Sequence, residues 1–273
     1  MPASPDYPEL SAARADWRYE PVADCLRDKV ILITGAGDGI GRAAAKTFAC
    51  YGAHVILLGR SRDKLESVFD WIVAATDTQP VIVPCDLLHL NDAGTEALHQ
   101  AIDDAFGHLD GIVHNASVLG SKVPIAHFET QQWHNVIQVN VTAVFLLTRT
   151  LLPLLEKSQA ASMIMTSSSV GRAGRAYWGA YSVSKFALEG LTQVLADEHE
   201  HAGKIRCNSL NPGGTRTAMR RAAYPAENPS EVPTPESHMD LYLYLMCDAS
   251  VGVTGQQFDA RNWEPPSGLA TET

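Results

Sequence analysis

The chain lacks several features that mark whole classes of function. It has no surplus of positive charge: 21 basic against 31 acidic side chains leave a formal net charge of −10 at pH 7. That balance disfavours nucleic acid and anionic membrane as general partners. It has few cysteines, Cys25, Cys50, Cys85, Cys207 and Cys247, with no C-x-x-C pair and no disulfide framework. Such usage suits a reducing cytosol, and a cytoplasmic protein is the expectation. Met1 to Pro21 lacks the basic start and apolar core of a secretory leader. No uninterrupted apolar run reaches membrane-spanning length; Val136 to Leu155 is broken by Gln138, Asn140, Thr142, Arg149 and Pro153. A metal site is not expected either. His199 and His201 stand two residues apart, which places them on different faces of a helix, so they read as a solvated helix end.

What is present points to one large α/β domain, since 273 residues with 45% hydrophobic content can bury a full core. Short apolar runs alternate with helix-like stretches. The runs are Val30 to Thr34, His54 to Gly59, Val81 to Cys85, Gly111 to His114, Ala161 to Thr166, Ile205 to Leu210 and Gln257 to Asp259. Helices are predicted over Ile40 to Tyr51, Arg62 to Ala75, Asn91 to Phe106, Thr130 to Glu156 and Gly179 to His201. Fully apolar strands separated by helices imply a doubly wound parallel sheet of about seven strands, with helices on both faces. The predicted organisation is a polar N-terminal arm (1–25), a dinucleotide-binding catalytic domain (26–260) and a tail (261–273) on the surface or across a subunit contact. The Pro- and Glu-rich stretch Tyr224 to Glu236 is expected to be a loop placed to cover a ligand.

In a doubly wound sheet ligands bind beyond the carboxyl ends of the strands. After the first strand comes Thr34-Gly35-Ala36-Gly37-Asp38-Gly39-Ile40-Gly41, opening a helix. Glycines there let the backbone turn tightly and approach a pyrophosphate, whose charge the helix start favours. The second strand ends 19 residues beyond Gly41, in Leu58-Gly59-Arg60-Ser61. Sites for NAD(H) carry an acid near this position to hold the ribose hydroxyls. A guanidinium suits a 2′-phosphate instead. NADP(H) is therefore expected over NAD(H), although Asp38 adds negative charge to the loop and Arg60 could also stack on adenine or face solvent.

Further along, Tyr181 and Lys185 stand one helical turn apart, preceded by Ser167-Ser168-Ser169. Residues at i and i+4 share a helix face. A phenol that titrates near pH ~10 needs a shift of about 4 kcal/mol to ionise at neutral pH. Two unit charges ~4 Å apart at an effective dielectric of ~20 interact by about that much. Between serine and tyrosine lie Arg172, Arg175, Tyr177 and Trp178, which could line a pocket for an acidic or aromatic substrate, or form a subunit contact or surface.

From about Leu26 to Asp259 the chain resembles the short-chain dehydrogenase/reductase family. Thr34 to Gly41 matches T-G-x-x-x-G-I-G; Asp86, followed by Leu87, matches an acidic residue after the third strand; His114-Asn115-Ala116-Ser117 stands for N-N-A-G. Asn140 matches the family's helix asparagine, Ser168 its serine 13 residues before the tyrosine, Tyr181 and Lys185 its Y-x-x-x-K pair. Pro212-Gly213-Gly214-Thr215-Arg216-Thr217 matches P-G-x-x-x-T. The details look like a bacterial subgroup of NADP-type oxidoreductases of uncharacterised activity. The resemblance implies a single-domain Rossmann fold, and a catalytic set of Asn140, Ser168, Tyr181 and Lys185. The implied cofactor contacts are Gly35, Gly37, Asp38, Gly39, Ile40, Gly41, Arg60, Asp86, Leu87, Asn115, Ala116, Tyr181, Lys185, Pro212, Gly213, Thr215 and Thr217. Hydride would pass between NADP(H) and a small-molecule carbonyl or alcohol, with Tyr181 as acid or base, Ser168 on the substrate oxygen, Lys185 lowering the tyrosine pKa and Asn140 holding a relay water. A homodimer or homotetramer is implied through the helices Thr130 to Glu156 and Gly179 to His201. The alternative is a non-catalytic dinucleotide-binding regulatory or structural protein that kept the fold.

Overall fold

The computed structural model describes residues 7–268; the outer parts of the predicted arm and tail, residues 1–6 and 269–273, lie outside the described residues. Seven strands form one parallel sheet: β1 (Val30–Thr34), β2 (His54–Gly59), β3 (Val81–Pro84), β4 (Gly111–His114), β5 (Ala161–Thr166), β6 (Ile205–Asn211) and β7 (Gln257–Asp259). Their spatial order is β3-β2-β1-β4-β5-β6-β7. The chain therefore reverses direction across the sheet between β1 and β4, and a crevice opens there beyond the strand ends. Every residue of β1, β4, β5 and β6 is buried. Burial accounts for the largely apolar character of β1, β4 and β5; β6 instead buries Arg206, Asn208, Ser209 and Asn211 in hydrogen bonds, and edge strand β3 is partly exposed.

Two cores flank the sheet. On one face Ala43, Ala44 and Phe48 of α2 (Gly39–Cys50) pack with Leu65, Val68 and Ile72 of α3 (Arg62–Ala75). On the other face lie Leu98 and Ile102 of α4 (Asp92–Phe106), Leu147 and Leu151 of α6 (Ala143–Leu155), and Leu188 and Leu195 of α7 (Gly179–His199). The α4 helix starts on Asn91, whose side chain accepts from Gly94 N at 3.0 Å.

The predicted helix from Thr130 is continuous but not uniform. α5 (Thr130–Ile137) passes through a π-helical turn (Gln138–Thr142) into α6. By length and composition Thr130–Leu155 could cross a membrane, yet Leu147, Leu151 and Leu154 are fully buried against the sheet. Phe145, Val183, Phe186 and Val194 stand exposed on α6 and α7, the helices to which the family resemblance assigns subunit contact.

The structure corrects the reading of both chain ends. The described part of the arm is a folded strap, not a polar extension. It contains α1 (Pro8–Ala13), and Tyr7, Leu10, Trp17 and Tyr19 are buried in the first core. Its polar and acidic residues face outward between those aromatic anchors. In the tail Trp263 is buried too, its ring 5.2 Å from Tyr244 and 6.3 Å from Tyr19. Sequence periodicity gives no signal for α9 (Met239–Met246), because all eight of its residues are buried and no polar face alternates with the apolar one. The stretch from Tyr224 to Glu236 is loop, as expected, with short 3-10 turns at Pro229–Glu231 and Pro235–His238.

Candidate active site

The ends of β1 and β4 are stitched together by Thr34. Its hydroxyl accepts from Asn115 N and Ala116 N, both at 3.0 Å, while Asn115 Nδ2 donates to Thr34 O at 3.1 Å. This crosslink sets the Gly35 loop against Asn115 and Ala116 and leaves no room for side chains between them. Gly35 has φ +70°, and a Cβ there would stand 3.0 Å from Asn115 Nδ2; one at Gly41 would stand 2.3 Å from Gly35 O. Glycine at both positions is thus a packing requirement, and the backbone is bared toward the crevice.

Asp38 caps α2, its carboxylate accepting from Gly39 N at 2.7 Å. Lys64 Nζ pairs with the other oxygen at 2.5 Å and is the main reason the Asp38 carboxyl is held below the usual carboxylate range. Lys64 thereby neutralises the one charge that spoke against a phosphate at this loop. Sequence reasoning missed it because the two residues are 26 positions apart and share no motif. Arg60, with Ser61 and Lys64, lines a cavity of about 830 Å³ that also includes Gly37, Asp86 and Leu87. Arg60 is exposed and forms no hydrogen bond or ion pair among the described residues. Asp86 does two things: its Oδ1 accepts from Leu88 N at 3.1 Å, tightening the turn after β3, and the residue faces the cavity.

On the other side of the Gly35 loop lies a cavity of about 280 Å³ that brings together Gly35, Asp38, Gly39, Ile40, Asn115, Ala116, Ser168, Tyr181, Lys185, Pro212, Gly213, Thr215 and Thr217. Of the serine run, Ser167 and Ser168 both line this cavity, but the Ser167 hydroxyl is taken up by Glu189, donating to its Oε1 at 2.5 Å, whereas the Ser168 hydroxyl stands beside Tyr181. Tyr181 is only 7% exposed. Burial pushes its phenol up to about 12, opposed by the hydroxyls of Ser168 and Ser117 beside it. Ser117, which departs from the family glycine, thus places a hydroxyl at the tyrosine.

Lys185 is buried and donates to Thr166 O at 2.7 Å. Its ammonium stands 5.5 Å from the Tyr181 ring centroid. Burial lowers its pKa to about 8, with Glu189 pulling the other way. Burial is the leading influence on the protonated tyrosine, with the two serine hydroxyls opposing it. Asn140 sits in the π-turn, and its side chain is fully engaged: Oδ1 accepts from Val118 N at 2.8 Å, and Nδ2 donates to Val118 O and Ser184 Oγ, both at 3.0 Å. The side chain thus fixes the loop after β4 onto α7.

Among the remaining predicted residues, Thr215 is buried with its hydroxyl 3.0 Å from His238 Nε2. Thr217 caps α8 (Ala218–Ala223) by accepting from Arg220 N at 3.1 Å. Gly213 N donates to Asn211 Oδ1 at 3.0 Å. Of the four residues between serine and tyrosine, Arg172 lines neither cavity. It pairs with buried Glu189 at 3.1 Å and donates to Phe258 O at 2.9 Å. Tyr177 is exposed, whereas Trp178 walls the cavity, 5.8 Å from the Tyr181 ring and 6.0 Å from Tyr224. Tyr224, Met219 and Arg220 complete that wall, none of them marked by a motif. Among the described residues no cluster of His, Cys, Asp and Glu could hold a metal ion; His199 and His201 stand at the helix end as expected.

A doubly wound sheet of this order, with a bared glycine loop at its switch point and a Ser-Tyr-Lys group beside it, defines a dinucleotide-binding oxidoreductase fold. The chain matches the short chain dehydrogenase family over residues 29–228, and it belongs to that family. It is 52% identical over 248 residues to the oxidoreductase YciK of Escherichia coli, itself uncharacterised, spanning 91% of this chain and 98% of that one. It is also similar to two crystal structures of short chain dehydrogenases. One, from Shigella flexneri 2a and complexed with NADP, is 52% identical with TM-score 0.85, covering 87% of this chain and 99% of that one. The other, from Escherichia coli CFT073 and complexed with NADPH, is 52% identical with TM-score 0.86, covering 88% and 100%.

Proposed function

We propose that the protein is an NADP(H)-dependent reductase of small-molecule carbonyls, or dehydrogenase of the corresponding alcohols, working through Ser168, Tyr181, Lys185 and Asn140. The observation that carries this reading is the meeting of Ser168 and Tyr181 at one cavity wall with Lys185 buried beneath them. The residues beyond β2 fit the cofactor's 2′-phosphate: Arg60 is an unpaired guanidinium, and Lys64 has removed the repulsion of Asp38. The NADP and NADPH complexes of the similar proteins support the same choice.

Bound NADPH supplies hydride to a carbonyl carbon. The chain's residues handle the oxygen and its proton. Ser168 Oγ donates to the carbonyl oxygen, fixing it and stabilising the charge that builds there. Tyr181 Oη then gives its proton to that oxygen, forming the alcohol. A phenol pushed up to about 12 rests protonated, which suits it to act as acid in this direction. The tyrosinate left behind lies close to the Lys185 ammonium, whose attraction is strong in a buried setting. Asn140 acts by position, holding the β4 loop that carries Ser117 against α7.

The test is an NADPH-oxidation screen over ketones, aldehydes, quinones and oxoacyl thioesters. Tyr181→Phe is expected to abolish turnover of every accepted substrate while leaving the NADPH dissociation constant nearly unchanged. Turnover surviving in Tyr181→Phe would sink the mechanism.

A further inference from the structure

The cavity that holds Ser168 and Tyr181 does not end at its aromatic wall. A second chamber of about 410 Å³ shares Ser168, Trp178, Asn211, Gly213, Arg220 and Tyr224 with it. The outer side of this chamber is formed by the loop through Glu227, Glu231, Val232 and Pro233. Arg216 ties that loop down: its N donates to Pro233 O at 2.8 Å and its Nε to Val232 O at 3.2 Å.

The chamber's charges are unevenly matched. Arg220 lies 3.9 Å above the Tyr224 ring and is bound through two nitrogens to Glu227, at 2.5 and 2.6 Å. Arg261 pairs with Asp259 at 3.3 Å. Among the described residues Arg175 has no carboxylate partner, and its one hydrogen bond is a long one, 3.4 Å to Tyr224 Oη. Lys122, outside the chamber's lining, packs on the same aromatic pair. Its Nζ lies 4.4 Å from the Tyr224 ring centroid and 4.7 Å from that of Trp178, and donates to Ala223 O at 2.7 Å. The lining also holds Glu231, which accepts from Asn228 Nδ2 at 3.0 Å and pairs with no cation among the described residues, so three guanidiniums face two carboxylates there. A guanidinium left without a carboxylate in a chamber that opens onto Ser168 favours an anion there. A free guanidinium matches a carboxylate in shape as well as charge.

We infer that the second chamber is the anion end of the substrate site, so that the substrate is a carbonyl acid or hydroxy acid. Its carboxylate meets Arg175, its apolar or aromatic body lies against Trp178 and Tyr224, and its carbonyl reaches Ser168 and Tyr181. This inference rests on the reductase reading only for the carbonyl end; the carboxylate end can be tested by binding alone.

The experiment compares 3-benzoylpropionate with its methyl ester, titrated calorimetrically into the full chain saturated with NADP+. The free acid is expected to bind at least about tenfold more tightly than the ester, the scale of one charge-assisted hydrogen bond. Arg175→Gln is expected to bring the acid to the ester's affinity without moving the ester, Arg175→Lys to restore part of the difference, and added salt to weaken the acid alone. Equal binding of acid and ester, no binding of the acid, or an equal loss of both in Arg175→Gln would overturn the anion site. NADPH oxidation with the same two ketones separates the two ideas. Arg175-dependent binding without any turnover defeats the reductase reading and leaves the anion site standing. Turnover indifferent to Arg175 does the reverse.

Discussion

The two halves of the crevice hold their charged groups in opposite ways. Beyond β1 and β2, Asp38, Arg60 and Lys64 stand at the surface; Asp38 and Lys64 pair with each other, and Arg60 has no ion pair among the described residues. Beneath Ser168 the polar groups are buried and multiply bound: Glu189 accepts from Ser167 Oγ at 2.5 Å, Ser209 Oγ at 2.6 Å and Arg172 Nε at 3.1 Å. The contrast is energetic. An exposed ion pair contributes roughly 0–1 kcal/mol to folding, so those positions are free to follow the choice of cofactor. A buried carboxylate with three partners cannot be altered without leaving its partners stranded. Choice of cofactor is therefore separable from the fold, and the proposed reaction centre is not.

The largest expected effect that tests this contrast is at Glu189. Glu189→Ala strands the Arg172 guanidinium and two serine hydroxyls, and should lower unfolding free energy by about 3–5 kcal/mol. A loss under about 1 kcal/mol in denaturant titration would show that the network beneath Ser168 is as dispensable as a surface pair. Next comes a buried histidine in the same half. Burial lowers His238 from 6.5 to about 4, partly offset by Asp259. The unfolded chain therefore takes up this proton first as pH falls. The stability His238 contributes is intact above pH 6.5 and is lost progressively down to about 4, by about 3 kcal/mol in total. His238→Gln should flatten the stability profile in that window; an unchanged slope would show that His238 is not held neutral. The smallest effect on folding is in the cofactor half. Arg60→Asp should shift the preference between NADPH and NADH toward NADH by roughly ten- to a hundredfold, the scale of a lost charge-assisted contact. Its melting temperature should stay within a degree or two, since Arg60 has no partner to lose. A preference that does not move would place the 2′-phosphate elsewhere.

The same contrast explains what could be read from the sequence. β1, β2, β4 and β5 lie where their largely apolar runs predict, as buried parallel strands do, while edge strand β7 lies where predicted without an apolar run. The glycine loop and the Tyr181–Lys185 pair were legible because both are local: each is set by residues within a single turn. Lys64, Tyr224 and Arg220 were not, since each meets the crevice from a separate segment whose own sequence carries no chemical pattern. The N-terminal strap failed for a related reason. Tyr7, Trp17 and Tyr19 find their partners near residues 236 to 263, and an aromatic residue among prolines and acids does not announce so distant a contact. The π-turn at Asn140 left no mark either, since its residues Gln138–Thr142 keep helical backbone between α5 and α6 and the sequence reads as one helix.

The strap has a consequence in the time domain. Trp17 Nε1 donates to Glu236 O at 3.1 Å, across 219 positions of chain. Tyr7 Oη bonds the Glu236 carboxylate at 3.0 Å across 229. On a ribosome adding roughly 5–20 residues each second, Trp17 emerges some ten seconds or more before its acceptor exists. Contacts of such separation are also the slowest to close in a refolding chain. The Gly35 loop can be complete while the strap is still unplaced, so the cofactor crevice matures early and the wall that faces the substrate is fastened last.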